Sequence, residues 1–388
     1  MAKRKNPYQM YFTKDHEMVR RAIRDFVNKE INPNIDQWED DRIVPLKALF
    51  RKMGALGFLG MRYDPVYGGQ GLDYWYDLVF LEELGHIKGL GLAVAITVQT
   101  HMCTPAISAY GSEHLKQAFL KPAIEGELVG AIAVTEPGAG SDVAALATSA
   151  RREGDHYLIN GSKMFITNGT QADFFTLLAR TGDEKGYHAF SLFIVPSDLP
   201  GVQVSRKLEK LGVWNSDTAE LFFDDVKVPV KNRIGVEGEG FIYQMQQFQH
   251  ERFSLLPFAC TAMQDIIDLT VGYIRDRVVF GKPLITKQVL RHRLAEWLTE
   301  LECLKSLIYH IVRLKTAGLD STKEISMGKL MAGQLMSRIA DGCLQMHGGM
   351  GYMHEMLISR YYRDARGLSI GGGADEVMRE VISKLNGI

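Results

Sequence analysis

His156-Tyr-Leu-Ile-Asn-Gly-Ser-Lys-Met-Phe-Ile-Thr167 is the stretch at which the texture of this chain changes. Apolar and polar residues alternate on either side of Asn160-Gly161, the pair best suited to the left-handed positions of a type I′ turn, so the stretch predicts two short strands joined as a hairpin. The later runs 173–178, 190–195 and 220–226 are rich in aromatic and β-branched residues and predict further strands. Upstream the period is helical. Thr13 can cap a helix with Asp15 and Glu17 in its first turn; Val19, Ile23, Phe26, Val27 and Ile31 follow at helical spacing until Pro33, and helical patterns continue to about residue 128. Downstream of Gly235-Val-Glu-Gly-Glu-Gly240 the helical period returns. Leu290, Leu294, Trp297, Leu301, Leu304, Ile308 and Ile311 form one stripe ending near Gly318, and Ser321-x-x-Glu324 offers a capping box for the next helix. The chain therefore reads as α+β: a helical domain over 1–130, a β domain over 131–236 and a second helical domain over 237–388.

With 388 residues, 46% of them apolar, the chain can bury substantial cores. Its 45 basic and 46 acidic side chains leave a formal charge of −1. No sequence-wide field exists to recruit nucleic acid or anionic lipid, so any charged ligand must be held by a local site. Cys103, Cys260, Cys303 and Cys343 are too far apart for a zinc or redox pair and read as reduced core residues. The eleven histidines include no H-E-x-x-H and no i,i+4 pair, so no metal site is expected. The apolar run 89–98 is interrupted by Gln99, His101 and Pro105, which argues against a membrane span. The basic start 1–7 has neither an apolar run nor a Ser-rich amphipathic pattern, and the expected location is cytoplasmic.

Five segments bear chemistry-capable residues. The loop Val134-Thr-Glu-Pro-Gly-Ala-Gly-Ser-Asp142 lets backbone amides and short hydroxyls approach a flat or phosphorylated ligand, although a solvent-exposed turn would have the same composition. Phe165 and Thr167 share one side of a strand, where they suit either a stacked ring system or a packed β face. Near Gly240 begins a helix whose stripe of Phe241, Met245, Phe248, Leu255 and Ala259 carries Arg252, with Glu251 beside it. That places a charged pair where a core belongs. It is either a buried ion pair or a carboxylate whose desolvation raises it into general-base range. Pro257 should also strain this helix near Phe253. Gln345-Met-His-Gly-Gly349 ends a helix, and Ser369-Ile-Gly-Gly-Gly-Ala-Asp-Glu376 precedes a short terminal one; the latter offers amides at a helix N-terminus or a plain hinge.

Taken together these segments resemble the acyl-CoA dehydrogenase family along essentially the whole chain. The resemblance is carried by Ala133-Val-Thr-Glu-Pro-Gly-Ala-Gly-Ser-Asp142, Tyr67-Gly-Gly-Gln-Gly71, Asn160-Gly-Ser-Lys-x-Phe-Ile-Thr-Asn-Gly169, Lys210-Leu-Gly-x-x-x-Ser-Asp-Thr218 and Asp225-Val-x-Val-Pro229. Arg277-x-x-Phe-Gly-Lys282, Gln288 and Gln345-x-x-Gly-Gly349 continue it in the same order. It implies a helical domain, a β-barrel or sandwich domain and a four-helix C-terminal bundle, assembled as a homotetramer or dimer of dimers around FAD. By similarity Ala133, Val134, Thr135, Phe165, Ile166 and Thr167 would lie against the isoalloxazine and ribityl part. Arg277, Phe280, Gln288, Gln345, Gly348 and Gly349 would contact a neighbouring subunit's FAD, with Ala374 and Glu376 near its nucleotide. Ser141 and Arg252 match positions on the acyl-CoA side.

Most members of the family carry their catalytic Glu where this chain has Gly372; here Glu251 matches the alternative base position of the long-chain and isovaleryl-type branch. The resemblance then implies α,β-dehydrogenation of an acyl-CoA to the trans-2-enoyl-CoA, with Glu251 removing the α-proton, the β-hydrogen passing as hydride to flavin N5, and the Gly372 backbone N–H supporting the enolate. An electron-transfer flavoprotein would be the acceptor; an oxygen-using acyl-CoA oxidase or nitroalkane-oxidising relative is the alternative. Val94, Val98 and Met102 would border the acyl tail, which points to a medium, long or methyl-branched chain. A terpenoid such as citronellyl-CoA is suggested by the likeness of Gly240-Phe-x-Tyr-Gln-Met-x-Gln-Phe-Gln249 to its dehydrogenase. Trp214 stands where many relatives have Arg or His and leaves the contacts of its loop open.

Overall fold

The computed structural model describes residues 7–182 and 186–388; the basic start, residues 1–6, lies outside them, as do 183–185. The first long helix, Lys14–Phe26, is capped as expected: the Thr13 hydroxyl accepts from the His16 N–H, and His16 Nδ1 accepts from the Thr13 N–H at 3.0 Å. Asp15 and Glu17 face the positive end of its dipole. Further on, Leu90–Thr97 runs through a π turn, Val98–Cys103, into Pro105–Tyr110. By length and composition Leu90–Tyr110 could cross a membrane, against expectation, but 89% of that window is buried and it is a core helix of the fold. Its polar groups are satisfied internally: Gln99 accepts from Gly130 N at 2.7 Å and donates to the carbonyls of Ala123 and Leu128.

Among the described residues the middle block is one mixed sheet of eight strands: β1 (Gly130–Ala133), β2 (Ser149–Glu153), β3 (His156–Thr167), β4 (Phe174–Arg180), β5 (Phe190–Pro196), β6 (Val202–Lys207), β7 (Thr218–Pro229) and β8 (Arg233–Ile234). Its order is β6-β7-β3-β2-β4-β5-β8, with β1 parallel to β4. The expected hairpin at Asn160-Gly161 is absent, because β3 runs unbroken through the pair. Asn160 exchanges two hydrogen bonds with Asp225 of β7, each 2.9 Å, so the strand absorbs the pair as an irregularity in register. A second irregularity lies between Lys163 and Ile166 and holds Phe165 at φ 62.

The C-terminal block is built on the helices Gly240–Asp276, Gln288–Thr316 and Thr322–His347, with Leu357–Ala365 and Asp375–Leu385 packed on them. Pro257 sits inside the first without ending it; having no N–H, it cannot donate to the Phe253 carbonyl. The expected capping box at Ser321 does not form: Ser321 makes no side-chain cap, and Asp320 accepts from the N–H and hydroxyl of Thr322 instead. Of the four cysteines Cys103, Cys260 and Cys343 are buried, whereas Cys303 is exposed, being off the apolar stripe of its helix.

The two helical blocks share one core. Phe80, Leu81, Ile96 and Val98 bury in the same cluster as Phe253, Ile266, Leu304 and Met336. The loop at Trp214 ties this cluster to the sheet. The Trp214 indole lies between the guanidinium groups of Arg42 and Arg363, 4.3 and 4.2 Å from its centroid, and its N–H donates to the Lys210 carbonyl at 2.7 Å. Beside it the buried Asp364 carboxylate accepts from the backbone N–H groups of Val213 and Leu90. All three blocks therefore meet at this loop. A methyl group on Gly212 would fall 2.3 Å from the Arg363 carbonyl oxygen, on backbone that cannot move aside. Gly212→Ala should accordingly cost ~2–3 kcal/mol in denaturant unfolding, whereas Gly154→Ala, where nothing lies within 4 Å and only φ 62 opposes the change, should cost ~1–2 kcal/mol.

Candidate active site

Glu251 and Gly372, 121 positions apart, meet in the fold. A Cβ built on Gly372 would stand 3.4 Å from Glu251 Oε1 and 2.7 Å from Leu255 Cδ1, and Gly372 is held at φ +67. A side chain at 372 would be strained by the backbone and would need the end of Leu255 to shift, and the Glu251 carboxylate borders the region into which one would project. The turn is anchored through its carbonyls. Arg252 Nε donates to Gly372 O at 3.3 Å, while Lys329 Nζ donates to Leu368 O at 2.6 Å and Gly373 O at 2.8 Å. The Gly372 N–H, by contrast, has no acceptor among the described residues.

Burial pushes the Glu251 carboxyl up from its ordinary value to about 7, against the opposing pull of Arg252 and Lys329. The residue as a whole is half-buried, and its carboxyl end is the desolvated part. Lys329 and Arg252 are themselves pushed down by burial, Lys329 to about 8. The arrangement can take up a proton near neutral pH and offer one free amide to a developing negative charge a few ångströms away.

A second anchored region lies on the sheet. Lys163, fully buried on β3, donates to Val134 O at 2.9 Å, Leu178 O at 2.8 Å and Glu136 Oε1 at 2.9 Å. Glu136 also accepts from the N–H groups of Ala147 and Thr148. Burial works against that carboxylate, but Lys163 and these donors hold it below the ordinary range. The effect is to fix the Ala133–Thr135 segment, whose Thr135 carbonyl accepts from Met164 N at 2.8 Å, against the bulge that turns Phe165 outward, 62% exposed. Ala133, Val134 and Ile166 are buried beneath, and Thr167 is half-buried.

The other expected positions form separate groups. Arg277, Phe280 (93% exposed) and Gln288 lie on the surface around a two-stranded hairpin, and Gln345, Gly348 and Gly349 are exposed at the neighbouring helix end, joined by the Tyr273 hydroxyl donating to His347 O at 3.2 Å. Arg277 has no ion-pair partner among the described residues, and no side chain would obstruct Gly348 or Gly349. None of the hydrogen bonds or ring contacts among the described residues joins this group to Phe165 and Thr167. Ala374 and the exposed Glu376 open the terminal helix, and Ser141 is exposed at the end of its loop. Val98 and Met102 are buried and Val94 half-buried in the shared helical core. No group of three or more potential metal ligands occurs among the described residues. Sequence reasoning does not single out Lys329, and reaches Lys163 only as a letter within a motif; a lysine amid apolar neighbours is the signal both carry. An outward aromatic with hydroxyls near it fits a flat ring system, and an unpaired guanidinium beside open glycines fits a pyrophosphate.

Three family models match the chain in succession: acyl-CoA dehydrogenase N-terminal domain over 13–127, middle domain over 131–226 and C-terminal domain over 238–385. The chain is 36% identical over 375 residues to an acyl-CoA dehydrogenase of Bacillus subtilis, covering 97% of this chain and 98% of that one. It superimposes on the crystal structure of an acyl-CoA dehydrogenase from Geobacillus kaustophilus with a TM-score of 0.94 at 40% identity, covering 97% and 99% of the two chains. A chain in the structure of the electron transferring flavoprotein of Acidaminococcus fermentans matches with a TM-score of 0.92 at 33% identity, covering 97% and 98%.

Because the Glu251 carboxyl is raised, folding favours its protonated form, and its contribution to stability is lost as pH rises from about 4.5 through about 7. Glu251→Gln should therefore match the parent in thermal unfolding near pH 4 and exceed it at pH 8, by up to ~3 kcal/mol for a shift of this size. Lys163→Met, which strands the Glu136 charge, should instead lose ~3–5 kcal/mol at pH 7.

Proposed function

The chain belongs to the acyl-CoA dehydrogenase family of flavin-dependent oxidoreductases, and we propose that within it Glu251 is the base that opens the Cα–Cβ dehydrogenation of an acyl-CoA thioester to the trans-2-enoyl-CoA. One observation carries this reading: the Glu251 carboxylate, raised to about 7, lies 3.4 Å from the position a side chain at 372 would take, and the Gly372 N–H has no acceptor among the described residues. The α-proton of a thioester is weakly acidic, so its removal needs both a base near neutral pH and a donor for the thioester oxygen as charge moves onto it. Glu251 takes the proton and the Gly372 N–H donates to that oxygen. Leu255 lies beside the same space, and the desolvation of the carboxyl strengthens both interactions.

FAD, held by Ala133–Thr135 and Phe165–Thr167 and by the Arg277, Phe280, Gln288, Gln345, Gly348, Gly349, Ala374 and Glu376 positions, would supply the two-electron acceptor for the β-hydrogen. That no hydrogen bond or ring contact among the described residues joins the Arg277 group to Phe165 and Thr167 is in keeping with a second copy completing each site, in a homotetramer. An electron-transfer flavoprotein as acceptor is in keeping with the Acidaminococcus match. Ser141 and Arg252 would meet the acyl-CoA. The apolar Val94, Val98 and Met102 favour a medium, long or methyl-branched acyl chain, including the terpenoid class.

Glu251→Gln should give a yellow, folded protein whose flavin is reduced by acyl-CoA ~10²–10⁴-fold more slowly than in the parent. Bleaching at the parent rate would remove Glu251 from the role of base. Across straight and branched acyl-CoAs, a maximum of kcat/KM on butyryl-CoA would overturn the chain-length reading, and fast reoxidation by air alone would favour an oxidase.

A further inference from the structure

We infer that Lys329 is a positioning residue for this reaction: its ammonium grips carbonyls on both sides of Gly372 and so holds the unpaired Gly372 N–H beside the Glu251 carboxylate. The inference rests on Glu251 acting as the base. Lys329 is fully buried in the third turn of Thr322–His347, a costly place for a lysine unless its protons are used. Two of them are used on the turn, at Leu368 O and Gly373 O, and its Cε stands 3.6 Å from the Cβ position of Gly372. With Arg252 on Gly372 O, three carbonyls of the segment 368–373 are pinned by two cations, while the amides of Gly372 and Gly373 have no acceptor among the described residues; of the two, Gly372 is the one whose Cβ position lies 3.4 Å from Glu251 Oε1. A helix cap for the short Arg366–Ser369 turn would need only the Leu368 bond; the second bond, across the glycines to Gly373, serves the turn itself.

The charge matters as well as the hydrogen bonds. The groups facing Lys329 are Glu251 and Arg252 from Gly240–Asp276 and Asp375 from the start of the terminal helix, whose Oδ1 is buried without a hydrogen-bond partner. Arg252 and Lys329 are the two cations that pull Glu251 down against burial. Without Lys329 the carboxyl would hold its proton to higher pH, and a larger share of the enzyme would lack a working base at neutrality.

The test uses the flavin-loaded enzyme with Lys329→Met, which keeps the length and loses charge and donors, and Lys329→Gln, which keeps a donor and loses the charge. Met should lower kcat by ~10–100-fold with little change in KM, move the acidic limb of kcat/KM upward by about one pH unit, and speed amide exchange across 370–374. Gln should recover slow exchange in part but keep the displaced limb. A parental pH profile and kcat in both variants, with Glu251→Gln inactive, would overturn the role of Lys329 and leave Glu251 standing; a fully active Glu251→Gln would overturn the functional reading on which both depend. Should neither variant fold, the unaltered enzyme still decides. Exchange across 370–374, corrected for its intrinsic pH dependence, should rise as Lys329 loses its proton near pH 8, and a flat profile from pH 6 to 9.5 would reject the assignment.

Discussion

Taking the Glu251 carboxylate out of water is the constraint around which the C-terminal block is arranged. An ionised carboxylate buried against Leu255 and a glycine turn is unstable unless cations stand near it, and cations brought near enough to pair with it fully would abolish its basicity. The fold settles between these limits. Arg252 and Lys329 stand close enough to be felt by the carboxylate, but their hydrogen bonds go to backbone carbonyls of the 368–373 segment. Their charge is thereby stabilised without a direct bond to Glu251, and the carboxyl is left near neutrality.

The same device recurs on the sheet. Lys163 and Lys329 are both fully buried, both bind two backbone carbonyls, and both have a carboxylate in reach. They differ in what the carboxylate does. Glu136 accepts Lys163 directly and is locked by two further amides, so that pair is a rivet between a loop and β3. Among the described residues no side chain or amide donates to the Glu251 carboxylate. One lysine immobilises a structure; the other leaves its acid chemically available.

Much of this is legible in the chain. The α, β, α succession follows from periodicity, and Glu251 with Arg252 stands out in the sequence alone as a pair of charges beside an apolar stripe. Where local patterns mislead, the reasons are physical. Asn160-Gly161 is a turn pair by local preference, but Asp225 on a strand more than sixty residues away satisfies Asn160 and keeps β3 extended. Ser321 and Glu324 have the spacing of a capping box, yet Asp320 one residue earlier reaches the same N–H region and displaces it. The effect of Trp214 is unreadable from its neighbours in sequence because its partners, Arg42 and Arg363, come from opposite ends of the chain. Lys329 shows in the sequence only as a lysine amid apolar neighbours; its role does not, because its partners are carbonyls, which every residue has.

The shared core of the two helical blocks bears on how such a chain is made. Phe80 and Val98 are synthesised long before Phe253, Ile266 or Met336, with the whole sheet emerging between them. Until the C-terminal helices leave the ribosome, the N-terminal helices carry an apolar face with nothing to cover it. The sheet has its own cluster, around Tyr157, Phe175 and Phe193, and can close first. The first hundred residues must wait, at synthesis rates of ~5–20 residues per second, for many seconds with half a core exposed. A nascent chain of this design therefore depends on chaperone cover early, and a truncated product would aggregate through its N-terminal half rather than through its strands.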